Sequence, residues 1–385
     1  MLLLRLLLRN AFRHRLRTAL TVIGLVAAIC AFGLLRTLIG AWYASADASS
    51  STRLVSRNAV SLTFALPLSY APRMRAVEGV TEVSAAVWFG GIYQSQRNFF
   101  PQFAVQPESY LRLYPEYRLP PEQQAAFLKD RQGVIVGRKL AERFGWKVGD
   151  SIALRGTIFP GTWTFTLRGI WTGAQAGTDE SQLLMHYALL NESLRVRAPS
   201  RADNAGVFFV GIDRPDDAAA VAQQIDALFA NSLAETKTEA EQAFQLSFVA
   251  MSSALLAAIQ AVSVIVILIV MAVMANTMAM TARERLPEYA TLRALGFRPG
   301  FIATLLMGES LLVALLGAAL GIALTWPAVD LIASALGNYL PHFRVAPSTM
   351  LLQALAALGV GAVAAAWPAW QMSRADIVQG LRHVG

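Results

Sequence analysis

The residues best spaced for chemistry lie in one short charged segment. Between Thr281 and Phe297 the chain reads TARERLPEYATLRALGF, which crowds Arg283, Glu284, Arg285, Glu288, Tyr289 and Arg293 together. Pro287 suits the start of a helix, Glu288 lies favourably near the positive end of its dipole, and Gly296 is placed to end it. Tyr289, Leu292 and Leu295 or Gly296 then share a face. The chemistry on offer is docking: a short amphipathic helix between two apolar spans can be gripped by a partner and pass force on. Taken alone, an ordinary surface-loop helix fits equally well.

Bond-making chemistry finds little support. The histidines His14, His186, His342 and His383 stand in four separate regions, none with a neighbour at metal-ligand spacing. Neither H-E-x-x-H nor G-x-S-x-G occurs. The run from Gly133 to Lys139 superficially suggests a phosphate loop, but its glycine spacing is wrong. Leu140 also stands where a magnesium-binding hydroxyl is needed. The lone Cys30 sits in an apolar run, excluding an intramolecular disulfide. The expectation is a non-catalytic chain with no metal and no cofactor of its own.

Polar groups inside apolar spans form the second set of candidates, because they are costly there. Glu309 could touch a proton or substrate, or pair with an inner-side arginine such as Arg293; hydrogen bonding within the bundle is the simpler reading. Gln260 and Asn276 read as hydrogen-bond glue between helices. Gly317 and Gly321 make a G-x-x-x-G that lets another helix approach closely, from this chain or from a second copy.

The elements that must hold these residues are membrane spans. At 55% hydrophobic and 15% charged, the 385-residue chain is too apolar for an ordinary soluble protein. Four apolar blocks give this organisation: an amphipathic helix over 1–17, spans over 18–41, 248–281, 301–326 and 350–370, an inner loop at 282–300, a short outer loop at 327–349 and a tail at 371–385. The remainder, 42–247, is a large outer domain with a stalk. The second block, Phe244 to Ala282, holds no charge over 39 residues, nearly twice what a bilayer needs, so part of it must project as that stalk. The third span is expected to stop at Pro327, and Trp367 and Trp370 to anchor the fourth at the interface.

Charge sets the orientation. The outer domain carries 20 basic and 20 acidic residues, whereas the 1–17, 282–300 and tail segments hold 11 arginines against Glu284, Glu288 and Asp376. Short basic segments stay on the cytoplasmic side, which puts both termini and the charged loop inside. The formal charge of +8 therefore reads as topology and leaves nucleic acid an unlikely partner, with membrane lipids around the spans. A cleavable signal peptide ending near Ala44-Ser45-Ala46 is the weaker rival, because Arg36 precedes that site.

The outer domain reads as α+β. Strands are expected over Leu54 to Ala65, Val80 to Val87, Ser151 to Leu154, Thr162 to Trp171 and Val207 to Ile212. Helices are expected over Pro72 to Val77, Val134 to Phe144 and Ala218 to Phe229, the last capped by Asp216-Asp217. Pro101 to Pro121, rich in proline and tyrosine, reads as a loop or insertion. Trp88, Phe89, Tyr93, Phe99, Phe100 and Tyr110 read as core before binding surface.

The ordered set of these motifs resembles the permease family that includes MacB, FtsX, LolC and LolE. It rests on Arg283-Glu284-Arg285 with Glu288 to Gly296, on Glu309-Ser310-Leu311-Leu312, on Gly317 to Gly321, and on Pro368 to Asp376. Arg9-Asn10 with Arg15 to Thr18, and Gly137 to Ala141 with Gly149-Asp150, fit as well. The resemblance implies four transmembrane helices, a large extracytoplasmic domain between the first and second, and a place in the bacterial inner membrane. It further implies a permease subunit, dimeric and most simply a homodimer, working with a separate ABC ATPase that carries ATP and magnesium. The inner-loop helix would dock on that ATPase and relay its motion outward by mechanotransmission, to export or extract an envelope substrate. Since 17 residues precede the first span, no fused ATPase domain is expected; the outer domain is larger than is usual for FtsX, which weighs against a cell-division role. A periplasmic adaptor is left open. The alternative is a membrane-anchored sensor or regulator of an envelope enzyme.

Overall fold

The computed structural model describes residues 13–47, 49–175, 178–336 and 343–374. The expected amphipathic helix over 1–17 falls almost wholly outside them, as do His342, His383 and the tail beyond Arg374. The described chain forms two compact units. One contains the chain up to Gly40 with Ser253–Ala335 and the segment from Phe343; the other is Ala41–Ser252.

Helix α1 (Arg15–Asp47) leads into the mixed unit. There β1 (Arg53–Asn58), β2 (Leu66–Pro67), α2 (Tyr70–Arg75), β3 (Val80–Trp88), β4 (Gly91–Ile92), β5 (Gln102–Val105), α3 (Pro107–Leu113) and β6 (Tyr117–Arg118) come first. They are followed by α4 (Pro121–Lys129), β7 (Gly133–Gly137), α5 (Arg138–Phe144), β8 (Ser151–Gly156), β9 (Gly161–Gly173), β10 (Leu183–His186) and α6 (Tyr187–Arg197). Then come β11 (Asn204–Ala205), β12 (Val207–Ile212), α7 (Ala218–Phe229), β13 (Thr236–Ala240) and α8 (Glu241–Met251). The sheet runs β13-β1-β12-β3-β5-β10-β7-β9-β8-β4, with β6 on β9, and β2 pairs with β11 apart from it. It is mixed: β5 with β10 and β7 with β9 are parallel, the other pairs antiparallel.

Four expectations are corrected here. Val134 to Phe144 is not one helix: Gly133–Gly137 is a central strand buried at every position, so its apolar run carries no alternation to mark it, and the helix begins at Arg138. Gly137 is required because its backbone runs against Glu180, whose carbonyl oxygen would stand 2.1 Å from an added Cβ. Pro101 to Pro121 is no loop: its prolines open elements, Pro107 at the head of α3 and Pro121 at the head of α4. Strand β1 is short, ending at Asn58, and Asp217 makes no side-chain cap, a 3-10 turn over Pro215–Asp217 entering α7 instead.

The second unit continues with α9 (Ser253–Glu284), α10 (Leu286–Ala294), α11 (Pro299–Leu336) and α12 (Pro347–Arg374). With α1 these supply four helices long and apolar enough to cross a membrane. Pro327 does not stop α11, which runs on to Leu336, and Pro368 lies inside α12. In lipid, ending a helix leaves several carbonyls with no water to bond, whereas a proline forfeits one bond. Leu25, Ile29, Met274, Met278, Ala314 and Ala357, from all four helices, share the bundle core.

Candidate functional site

The charged segment forms a knot at the short-loop end of the bundle. Helix α9 stops at Glu284, Arg285 caps the next helix, and α10 runs to Ala294 with Glu288 in its first turn. Gly296, at φ +91°, turns the chain out, its N–H donating to the Arg293 carbonyl and that of Phe297 to Leu292. Pro287 therefore takes the second helical position, not the first.

Six candidate residues meet three different fates. Arg285 is buried and donates from Nη1 to Glu309 Oε1 at 2.6 Å; both side chains are at most 5% exposed. Glu309 is thus bonded within the bundle, to Arg285. Tyr289 is also buried, against Ile302, Leu306, Ala369 and Met372, and burial pushes its phenol up to about 12. Glu284 and Glu288 bind back to the start of α1. Arg17 reaches Glu284 with two parallel bonds of 2.7 Å, Arg13 bonds Glu288, and His14 approaches Glu284 at 3.8 Å. Arg283 is exposed and Arg293 half-buried.

These pairs carry a signal that sequence reasoning missed. Arg13 and Arg17 are four apart, as are Glu284 and Glu288, and the two sets pair in opposite order, Arg13 with Glu288 before α1 and Arg17 with Glu284 at the end of α9. The expected apolar face of α10 is corrected too. Tyr289 and Ala290 are packed inward, while Leu295 is 72% exposed and Phe297 44% exposed, an apolar tip beside Gly296.

Within the bundle, the glycines are explained by one neighbour. A Cβ on Gly317 would stand 2.5 Å from Leu25, and one on Gly321 2.8 Å from Ile29, so this G-x-x-x-G receives α1 of the same chain. Gln260 and Asn276 are exposed, and are not glue inside this chain. That part falls to Gln353, which donates to Ile29 O at 2.8 Å and Thr325 Oγ1 at 2.9 Å, and to Ser310, which donates to Gly361 O at 2.6 Å.

The mixed unit holds a second ionic cluster. Arg53 donates to Glu241 Oε2 at 2.9 Å, to Leu113 O at 2.6 Å and to Glu116 Oε1 at 2.8 Å, and lies 3.7 Å over the Tyr114 ring. Glu241 also accepts from Tyr114 Oη at 2.9 Å and from Ser50 N at 3.0 Å. Burial alone would lower the guanidinium; Tyr114, Glu241 and Glu116 outweigh it and hold Arg53 above its ordinary range. Burial keeps the Tyr114 phenol protonated, so it can donate. Of the aromatics, Phe89, Phe100 and Tyr110 are core, whereas Trp88 and Phe99 reach the surface. Among the described residues no group of histidine, cysteine, aspartate or glutamate is arranged to hold a metal.

Residues 18–228 match the MacB-like periplasmic core domain, and residues 260–377 match the FtsX-like permease C-terminal domain. No curated protein matches the chain. Among solved structures, the extracellular domain of YknZ, a noncanonic ABC-type transporter from Gram-positive bacteria, aligns at 13% identity over 49% of this chain and 99% of its own, with a TM-score of 0.37. The periplasmic region of MacB from Actinobacillus actinomycetemcomitans aligns at 10% identity over 51% and 92%, with a TM-score of 0.35. The assignment rests on the two sequence matches, of which the first alone spans more than half the chain, and on four apolar helices with a mixed α/β unit between the first two. The chain belongs to the MacB/FtsX-type permeases, multi-pass proteins of the bacterial inner membrane that form the permease subunits of ABC transporters.

Proposed function

We propose that this permease relays the motion of a separate ABC ATPase to its extracytoplasmic unit by mechanotransmission, moving an envelope substrate without passing it through the bundle. The observation that carries the reading is the division of the inner loop. One face of α10 is fixed into the bundle through Tyr289, Arg285 and Glu309, and the other ends in the exposed tip Leu295-Gly296-Phe297. A helix anchored on one side and apolar at its free end can receive a push and deliver it to three spans. Arg283 and Arg293 would flank the docked surface, while Glu284 and Glu288 would tie α1 to the moving loop. ATP and magnesium belong to the ATPase, and this chain supplies no catalytic group.

The arginine-rich 1–17, 282–300 and tail segments support an orientation with both termini and this loop in the cytoplasm. A second copy of the permease is supported by α9: about 11% of its apolar core is covered by the rest of the chain, against 50% for α11, and it exposes Gln260 and Asn276. Amides facing lipid are costly, and a partner helix would satisfy them.

The test is co-purification with the ATPase. Leu295→Asp with Phe297→Asp should abolish association while membrane insertion is retained, and Glu288→Lys should weaken association or uncouple hydrolysis. Wild-type association and transport by both variants would refute the assignment. Absence of any associated ATPase with the wild-type chain would favour the stand-alone sensor.

A further inference from the structure

The mixed unit contains a cavity of about 1540 Å³, larger than the ~300–1,000 Å³ of ordinary small-molecule sites. Its wall is of two kinds. One stretch is apolar and includes Leu62, Trp88, Ile158, Phe159, Leu190 and Leu194. Leu62, Trp88 and Ile158 on it are between 37% and 41% exposed, so large apolar side chains line open space instead of closing it. The other stretch is acidic: Glu116, Asp179 and Glu241 face it with Arg53, whose guanidinium is already committed to Glu241, Glu116 and the Leu113 carbonyl. Arg201 is the second cation on the wall. It is held on the Ile158 carbonyl at 3.0 Å and lies over the Phe159 ring at 4.8 Å, on the apolar stretch.

Three carboxylates against one committed guanidinium leave the acidic stretch with unbalanced negative charge. A cation is what it would take, and an apolar wall beside it would take a hydrocarbon chain. The segments around the acidic stretch are those that lead to spans. Ser49–Ser51 follow the apolar stretch ending at Ala44, and Phe244 and Phe248 of α8 line the cavity just before α9 begins at Ser253.

We propose that this cavity binds an amphiphile with a long aliphatic chain and a protonated amine head, its chain on the Trp88–Ile158 wall and its amine at Glu116 and Asp179. The site needs no ATPase and no nucleotide, so its test is independent of the coupling mechanism.

The experiment uses the full chain in lipid nanodiscs, with 12-bromododecylamine and 12-bromododecanoic acid as probes and tryptophan fluorescence as the readout. Bromine quenches nearby indoles, and the Trp88→Phe variant isolates the signal of Trp88 from that of tryptophans in the spans. The expected result is saturable, Trp88-dependent quenching by the amine at a concentration at least about tenfold lower than by the acid. Ile158→Arg should remove it for both probes, and Leu62→Arg, at a second exposed wall position, should repeat that block. Glu116→Gln with Asp179→Asn should weaken amine binding about tenfold while leaving the acid unchanged. Melting of each variant, followed by circular dichroism, confirms that it is folded. Quenching without a Trp88-dependent part, quenching that survives both arginine blocks, or equal response to amine and acid would each overturn the proposal.

Discussion

Replacing Glu309 tests whether the inner loop is held by charge. The Arg285 and Glu309 side chains are 5% and 3% exposed and their bond is 2.6 Å, so water cannot take over when one partner is lost. Glu309→Ala takes the carboxylate away from a buried guanidinium, and breaking a buried pair this way costs about 3–5 kcal/mol. Glu309→Gln keeps an acceptor but not the charge, and should cost about 1–3 kcal/mol. Arg285→Met with Glu309→Leu removes both charges and fills the space with apolar groups, so it should fall within about 1 kcal/mol of the wild type or exceed it. The assay is unfolding of the purified chain in mixed micelles by sodium dodecyl sulfate, followed by far-ultraviolet circular dichroism across the full cycle of single and double variants. Near-additive losses in the double variant would refute the argument, because they would mean that neither side chain suffers from the absence of the other.

Gly321→Ala should destabilise the bundle by about 1–3 kcal/mol, more than Gly317→Ala. The new methyl at 321 meets Ile29 and the Val26 carbonyl, which cannot rotate away, whereas at 317 it meets only the Leu25 side chain; the same unfolding assay ranks the two. Gly137→Ala should abolish folding of the mixed unit, since its Cβ would overlap the Glu180 backbone, and proteolysis of the variant chain would expose this. Burial holds His186 below the ordinary imidazole range, with Nε2 against the Phe127 carbonyl at 2.7 Å. The unfolded chain takes up this proton near about 6.5 and the folded chain only at lower pH, so stability is full above about 6.5 and is lost as pH falls through the folded value. Melting temperatures at pH 7.5, 6.5 and 5.5 should decline in that order, and His186→Gln should flatten the decline.

Much of this architecture is legible in the amino-acid order because lipid permits few solutions. An uncharged block such as Phe244 to Ala282 must be helical where it crosses lipid, and it supplies all but the ends of α8 and α9. Helix α7 was largely readable: of the expected apolar stripe Val221, Ile225, Leu228 and Phe229, all are buried except Leu228, which is exposed. Legibility fails where both faces of an element are covered. Strand β7 has no polar side to show its period, and the Tyr110, Tyr114 and Tyr117 segment looks like a loop until Arg53 arrives from sixty residues away. Polar residues in spans were misjudged for a related reason: composition flags Gln260 and Gln353 alike, and only three-dimensional placement puts Gln353 inside and Gln260 outside.

Two ionic clusters bear on the same pair of helices. Arg13 and Arg17 at the start of α1 bind Glu288 and Glu284 at and just beyond the end of α9. In the mixed unit, Ser50 and Arg53, just past the end of α1, bind Glu241, the first residue of α8 and the approach to α9. The chain segments at both ends of these helices are therefore cross-tied. Exposed pairs such as Arg13 with Glu288 contribute about 0–1 kcal/mol, too little to account for the fold. On the proposed mechanism their bearing would be directional: a push on α10 would reach α1 as well as α9, and Glu241 and Arg53 would receive any rotation of the two helices together. Arg53→Met should then leave the bundle and its ATPase association intact while cutting the response of hydrolysis to substrate, a separation that loss of folding alone would not produce. Equal loss of association and response would show that the outer cluster serves stability and not transmission.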